Sequence, residues 1–156
     1  MKSDTSLTMD PKALALRRLT LREYSSAELR AYLRRKGVEE AEAGEVVREL
    51  EERGLIDPGR YAAAIARSQI SRGKGPVAVL SKLRRRGLSA DLAAARKLYE
   101  SEAGEGPGAE AEAIRKVLAV RFPELDRSDG KAVYRAYQAL LRRGFSPSVV
   151  REVLGI

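Results

Sequence analysis

The chain has 156 residues and a formal net charge of +8, from 30 Lys plus Arg against 22 Asp plus Glu. It contains no cysteine and no histidine, which excludes disulfides, the usual Cys/His zinc sites and most nucleophile–base pairs. We therefore expect no enzyme, no metal and no cofactor, and a surface that favours polyanions.

The apolar content indicates a helical protein without a membrane segment. Aromatic residues are only 5% of the chain and there is no tryptophan, so Leu, Val, Ile and Ala must form the core. Such a core suits packed helices better than sheets. No apolar run approaches the roughly 18 residues that a membrane span needs, so we expect a cytoplasmic protein with no membrane partner.

Helix start and stop signals come in three rounds, and the first occupies the N-terminal third. Asp10 precedes a proline, which is typical of a helix start. Ser25 with a glutamate three residues later predicts a capping box, and Gly37 ends that second helix. A third helix is expected over about residues 39–53.

The second round repeats the pattern. Asp57 again precedes a proline and begins a helix that runs to about Arg72. Pro76 begins the next helix, which ends at Gly87. Ser89 is the predicted cap of the helix that follows.

The third round follows a stretch with the composition of a linker. Residues 101–109 are small, acidic and rich in glycine, with one proline. A helix is expected from about Glu110, and a second helix begins at Ser128 or Asp129 and ends at Gly144. One more helix completes the round.

The middle helices of the three rounds resemble one another. Each carries an apolar face, two or three basic residues, a glycine and then an apolar residue, and the glycines are 50 and 57 residues apart. This indicates an internal repeat, so we predict an elongated all-α array of right-handed helices, about nine of them, in three tandem three-helix repeats. The aligned segments are LRAYLRRKGV (29–38), VLSKLRRRGL (79–88) and AYQALLRRGF (136–145).

The repeats predict the following organisation of the chain. It comprises a flexible N-terminus (1–11), repeat 1 (12–56), a basic repeat 2 (57–100), a linker (101–109) and repeat 3 (110–156).

The excess positive charge is concentrated in repeat 2. Residues 57–100 hold 10 basic and 3 acidic groups, whereas residues 1–56 are balanced at 11 and 11. No acid occurs over 58–90. Cations near helix C-termini are favoured by the helix dipole, but that does not explain an acid-free window of this length. We therefore predict a partner- or DNA-binding surface formed by Tyr61, Arg67, Arg72, Lys74, Lys82, Arg84, Arg85 and Arg86.

Three details qualify this surface. Lys74 lies at the start of a helix, where backbone amides attract an anion. Tyr61 fits a core position as well as a contact position. Long cations without Asn or Gln beside them suit phosphates or an acidic protein face better than base readout, so DNA and protein both remain open as partners.

The segment LEERGLIDPGRYAAAIARSQISRGKGPVAVLSKLRRRGLS resembles the RecX family, bacterial regulators of the RecA recombinase. Pro58 departs from the family pattern, which usually has a second Asp there. The resemblance covers about residues 13–154, and its middle third is the most specific part. The matching positions are Ile56, Asp57, Tyr61, Ala62, Arg67, Lys74, Gly75, Leu83 and Gly87.

This resemblance implies a monomer that docks in the groove of the RecA–single-stranded-DNA filament. It implies damping of ATP hydrolysis, strand exchange and filament growth, in homologous recombination, DNA repair and the SOS response, with single-stranded DNA as a second partner. From the residues alone two other functions stay open. One is a general DNA-binding helical module that acts without RecA, and the other is a helical scaffold for an acidic protein.

Overall fold

The computed structural model describes residues 10–104 and 106–156. Over those residues the chain forms nine α-helices, one short 3-10 helix and no strand, which confirms the all-α prediction. The helices are α1 (Pro11–Leu19), α2 (Ser26–Arg35), α3 (Glu40–Glu52), α4 (Pro58–Ser71), α5 (Pro76–Arg85), α6 (Leu92–Ala103), α7 (Ala109–Arg121), α8 (Gly130–Arg142) and α9 (Pro147–Leu154), and the 3-10 helix is Gly106–Gly108.

The chain divides into two compact units, the first ending at Tyr61 and the second running from Ala62 to Ile156. In the first unit, α1, α2 and α3 pack around a small apolar core. Leu29, Leu33 and Leu50 are fully buried there, and Ala15 rather than its neighbour Leu16 faces the core from α1. Each helix therefore buries one stripe at helical spacing.

In the second unit, α7, α8 and α9 enclose an apolar core cluster. Ile114, Leu140 and Phe145 are its bulkiest fully buried members. The same unit contains α5 packed on α6, and α6 packed on α7, so the helices of repeats 2 and 3 share one compact body.

The helix ends are set by capping side chains and glycines. Asp57 accepts a hydrogen bond from the amide of Arg60 at 3.0 Å, as expected of a cap. Ser89 is not the cap of α6; Asp91 accepts from the amide of Ala94 at 2.8 Å instead. An aspartate directly before the first helical turn reaches the orphan amide that Ser89, two residues further back, does not.

Two predicted segments are only partly within the described residues. Of the flexible N-terminus predicted over 1–11, residues 1–9 lie outside them, and Pro11 already begins α1. Of the predicted linker, 101–103 continue α6, and the 3-10 helix lies within the rest. Within the described residues, no helix has both the length and the apolar character needed to cross a membrane.

Candidate functional site

Four of the predicted contact residues lie close enough for their charges to interact. The pKa of Lys82 lies below its ordinary value of 10.5, chiefly because of the charge of Arg86. Desolvation and the charges of Arg85 and Arg72 lower it further. Like charges disfavour the protonated ammonium, so this lowered pKa reports a concentrated positive potential where the end of α4 meets α5.

Lys74 lies apart from that group, beside cations of the third repeat. It borders a depression together with Arg121 of α7, Arg142 of α8 and Arg143, which ends α8. Arg72 connects the two groups, because it lines a neighbouring cavity with Arg121 and Arg143. The combined surface, called the basic surface below, consists of Arg72, Lys74, Lys82, Arg85, Arg86, Arg121, Arg142 and Arg143.

Arg143 has a structural part in this surface. Its guanidinium donates to the carbonyl oxygens of Arg72 and Gly73, each at 3.3 Å, and so binds the C-terminal end of α4. Burial lowers the pKa of Arg143, and the charge of Arg121 lowers it further. A cation at these carbonyls also complements the negative end of the α4 dipole.

The start of α5 is not an anion site, contrary to the expectation for Lys74. The amide of Gly75 donates to the carbonyl of Arg143, and the amide of Val77 donates to the carbonyl of Gly144, each at 2.9 Å. Pro76 between them has no amide proton. The carbonyl oxygens of Arg143 and Gly144 therefore already accept from the amides that a phosphate would need. Lys74 contributes only its own charge.

Three other predicted residues have partners that reduce their availability. Arg67 forms an ion pair with Glu102 at 2.9 Å. Arg84 donates to the carbonyl of Ala90 at 3.4 Å. Tyr61 is 5% exposed and its hydroxyl donates to the carboxylate of Glu28, so it is a buried residue of the first unit rather than a surface contact.

Several cations of the first unit form ion pairs with acids, unlike most cations of the basic surface. Lys12 pairs with Glu49 at 2.8 Å, and Arg22 pairs with Glu28 at 2.9 Å. In the described part of the chain, most cations of the basic surface form no ion pair with an acid. Those cations are Arg72, Lys74, Lys82, Arg85, Arg121 and Arg142.

Comparisons with known proteins agree with the repeat architecture. Family models match the RecX first three-helix domain at residues 12–50, the second at 59–95 and the third at 109–154. A Regulatory protein RecX from Halorhodospira halophila is 37% identical, over 88% of this chain and 81% of its own length. The chain belongs to the RecX family. Another Regulatory protein RecX, from Acidithiobacillus ferrooxidans, is 30% identical over 97% of this chain and 93% of its own length.

Solved RecX structures share the fold. The crystal structure of RecX from Lactobacillus salivarius superimposes with a TM-score of 0.71 at 21% identity, covering 93% of this chain and 92% of that one. A crystal structure of regulatory protein RecX gives a TM-score of 0.70 at 22% identity, over 94% of this chain and 74% of that one. The nine helices of the described residues therefore follow the RecX fold of three three-helix domains.

The basic surface of this RecX chain includes residues that the sequence alone did not single out. Arg121, Arg142 and Arg143 come from the third domain and were not among the predicted contact residues. A signal for two of them was available, because Arg142 and Arg143 precede Gly144 as Arg85 and Arg86 precede Gly87. Arg121 had no such signal.

Proposed function

We propose that this chain is a non-catalytic regulator of the RecA recombinase, acting as an inhibitor. In this proposal it binds the RecA–single-stranded-DNA filament as a cytoplasmic monomer. Bound there, it damps ATP hydrolysis, strand exchange and filament growth. Membership of the RecX family supports the regulatory part, since the curated relatives carry the name Regulatory protein RecX.

The observation that carries the proposal is the uncompensated charge of the basic surface. Six cations of the second and third domains have no acidic partner among the described residues. Lys82, Arg85, Arg121 and Arg142 lie on helices, whereas Arg72 and Lys74 lie between α4 and α5. A nucleoprotein filament presents phosphates and protein carboxylates, and arginine binds either of them through two parallel N–H donors. The proposal therefore assigns the basic surface to the filament and leaves the first unit, several of whose cations form ion pairs with acids, outside the contact.

A binding role explains inhibition without chemistry. A protein held along the filament by several charge pairs resists the changes between subunits that hydrolysis and growth require. Replacing cations of the basic surface by glutamate would place like charges against each other at the interface. Filament binding should then be lost, because unfavourable charge pairs at an interface cost several kcal/mol.

The test is the ATPase of RecA on single-stranded DNA, titrated with this protein. We expect the wild-type chain to lower the rate at stoichiometric amounts. The double variant Arg85→Glu/Arg142→Glu should need at least about tenfold more protein for the same inhibition. The matched control, Arg35→Glu/Arg135→Glu, changes the net charge equally but lies off the basic surface, and should inhibit like the wild type. A wild-type chain without any effect on the ATPase would contradict the proposal.

A further inference from the structure

A cavity of about 420 Å³ lies in the second unit, bordered by the C-terminal end of α4, by α6 and by α7. Its floor is apolar, formed by side chains such as Ile70, Ala103, Ala113 and Val117. Val120 also lines it and is 80% exposed, so the apolar floor continues to the outer surface. The volume falls within the roughly 300–1,000 Å³ of pockets that enclose ligands.

The rim of this cavity is cationic. Arg72, Lys116, Arg121 and Arg143 line it, and no acid is found among the described residues that do so. The pKa of Arg143 is lowered by burial and then by Arg121, which agrees with positive charges held close together. An occupant that brings negative charge to the rim would relieve this repulsion.

We propose that this cavity binds an acidic peptide segment of a partner protein, which inserts one large apolar side chain between α4, α6 and α7. Carboxylates on either side of that side chain meet the four cations of the rim. Arg72, Arg121 and Arg143 of the rim also belong to the basic surface, but peptide binding to the cavity requires neither RecA nor DNA. It adds to the basic surface a second, apolar means of recognition.

The lining favours a peptide over a nucleotide. A nucleobase is usually held by stacking on an aromatic ring or by side chains that read its edges. The aromatic ring of the lining belongs to Tyr99, which is 1% exposed and donates its hydroxyl to the carbonyl of Lys74 at 3.1 Å. Small aliphatic side chains such as Ala113 and Val117 instead leave room for an apolar side chain.

The test uses a synthetic fluorescent peptide with one central Phe flanked on both sides by Asp and Glu, bound to the full chain and followed by anisotropy. Replacing the Phe of the peptide by Ser should weaken binding by about tenfold, because the apolar contribution of the ring is lost. A peptide with the Phe kept and Lys flanks should not bind. These peptides test the cavity on the unaltered protein.

Protein variants locate the binding. Ala113→Phe fills the cavity and should weaken binding of the acidic Phe peptide by about tenfold or more. Ala119→Phe is the control, since it adds the same ring to an exposed position of the same helix. Arg121→Glu should weaken binding, whereas Arg135→Glu, which does not line the cavity, should not. Unfolding curves identify any variant that fails to fold.

Three outcomes would overturn the proposal. Equal affinity for the Phe and Ser peptides would mean that charge alone attracts the peptide. Equal loss in Ala113→Phe and Ala119→Phe, both folded, would place the peptide elsewhere. Competition by a thymidine mononucleotide at lower concentration than the peptide would assign the cavity to nucleic acid.

Discussion

Gly75 and Gly144 pack backbone against backbone in the second unit. A Cβ atom at Gly75 would lie 2.4 Å from the carbonyl oxygen of Gly144, and one at Gly144 would lie 2.5 Å from the amide nitrogen of Ala78. Gly144 also has a φ of +84°, in the left-handed region. This contact lets the amides of Gly75 and Val77 reach the carbonyls that end α8. The second and third domains are thus joined through the main chain.

Alanine at either of these glycines should destabilise the fold. Gly75→Ala forces two backbone segments apart, and we expect a loss of about 2 kcal/mol or more in the free energy of unfolding. Gly144→Ala should cost about 1 kcal/mol more, because of its positive φ. Gly37→Ala is the control, since Gly37 has a φ of +89° but no atom within 4 Å of its Cβ position. Urea unfolding measures all three, and a Gly75→Ala chain as stable as the wild type would refute the contact.

The two Asp-Pro helix starts should respond differently to substitution. Asp57→Ala removes a cap hydrogen bond to the amide of Arg60 and should cost about 1 kcal/mol. Asp10→Ala should cost little, because the Asp10 side chain makes no cap hydrogen bond at the start of α1. Thermal melts of both variants test this. Inhibition of RecA by folded Asp57→Ala should be unchanged, and a large loss would make Asp57 a contact residue.

A buried hydrogen-bond network links α6, α7 and the start of α9. Glu110 is 8% exposed and accepts from the amide of Ser146 at 2.5 Å and from its hydroxyl at 3.1 Å. Arg96 donates to the same hydroxyl at 3.2 Å. No local pattern in the sequence pairs Glu110 with Ser146, 36 residues away.

Removal of this carboxylate should be costly. Glu110→Ala leaves a buried amide without an acceptor and should lower the free energy of unfolding by about 2 kcal/mol. Glu112→Ala on the same helix loses an exposed ion pair with Arg115 and should cost about 0.5 kcal/mol or less. Equal effects of the two substitutions in urea unfolding would show that the network adds no stability.

The helical repeats were predictable because their signals are local. The residues around them predict helix ends at three glycines, and all three have positive φ: Gly37, Gly87 and Gly144. Pro11, Pro58, Pro76 and Pro147 each begin a helix, as a proline in the first turn indicates. Such features depend on a few neighbouring residues, so a single sequence contains them.

The composition of the basic surface was less predictable because it depends on long-range contacts. The acid-free window located Arg72, Lys74 and Lys82, but Arg121 joins them only through the packing of α7 beside the end of α4. Tyr61 could be placed in the core only once Glu28, 33 residues away, was known to accept its hydroxyl hydrogen. Counting charges along the sequence locates the basic region, whereas the packing of the helices determines which residues belong to the basic surface.

The pKa of Lys82 should respond to one neighbouring arginine and not to another. Arg86→Gln removes the largest cause of the lowered pKa, so the Lys82 pKa should rise toward its ordinary 10.5. Arg84→Gln is the control, because Arg84 is not among the charges that lower it. Titration of the Lys82 side chain by NMR measures both. An unchanged pKa in Arg86→Gln would place the two cations apart.

The lowered pKa of Lys82 also predicts the direction in which the free energy of unfolding changes with pH. Between the lowered pKa of folded Lys82 and 10.5, the unfolded chain binds more protons than the folded one. Stability contributed by this group therefore rises as the pH rises through that window. This rise in the free energy of unfolding with pH should be smaller in Arg86→Gln than in the wild type. Unfolding curves of both proteins over a pH series measure the difference.

Salt dependence should separate phosphates from protein carboxylates as the main partner of the basic surface. If the basic surface binds the phosphates of bare single-stranded DNA, a plot of log affinity against log salt concentration should have a slope of about −0.7 per phosphate contact. The double variant Arg85→Glu/Arg142→Glu should then reduce the steepness of that slope by more than one unit. We expect instead weak binding of bare DNA by both the wild type and the double variant, because bases stack on exposed rings. Of the two rings beside the basic surface, Tyr99 is buried and Phe122 is packed against the core of the third domain. Binding to the assembled filament should still collapse in the double variant, since carboxylates would then face glutamates.

Anisotropy of labelled oligo-thymidine, with and without RecA, measures both affinities over a salt series. Tight, steeply salt-dependent binding of bare DNA that the double variant abolishes would instead support a DNA-binding module that acts without RecA.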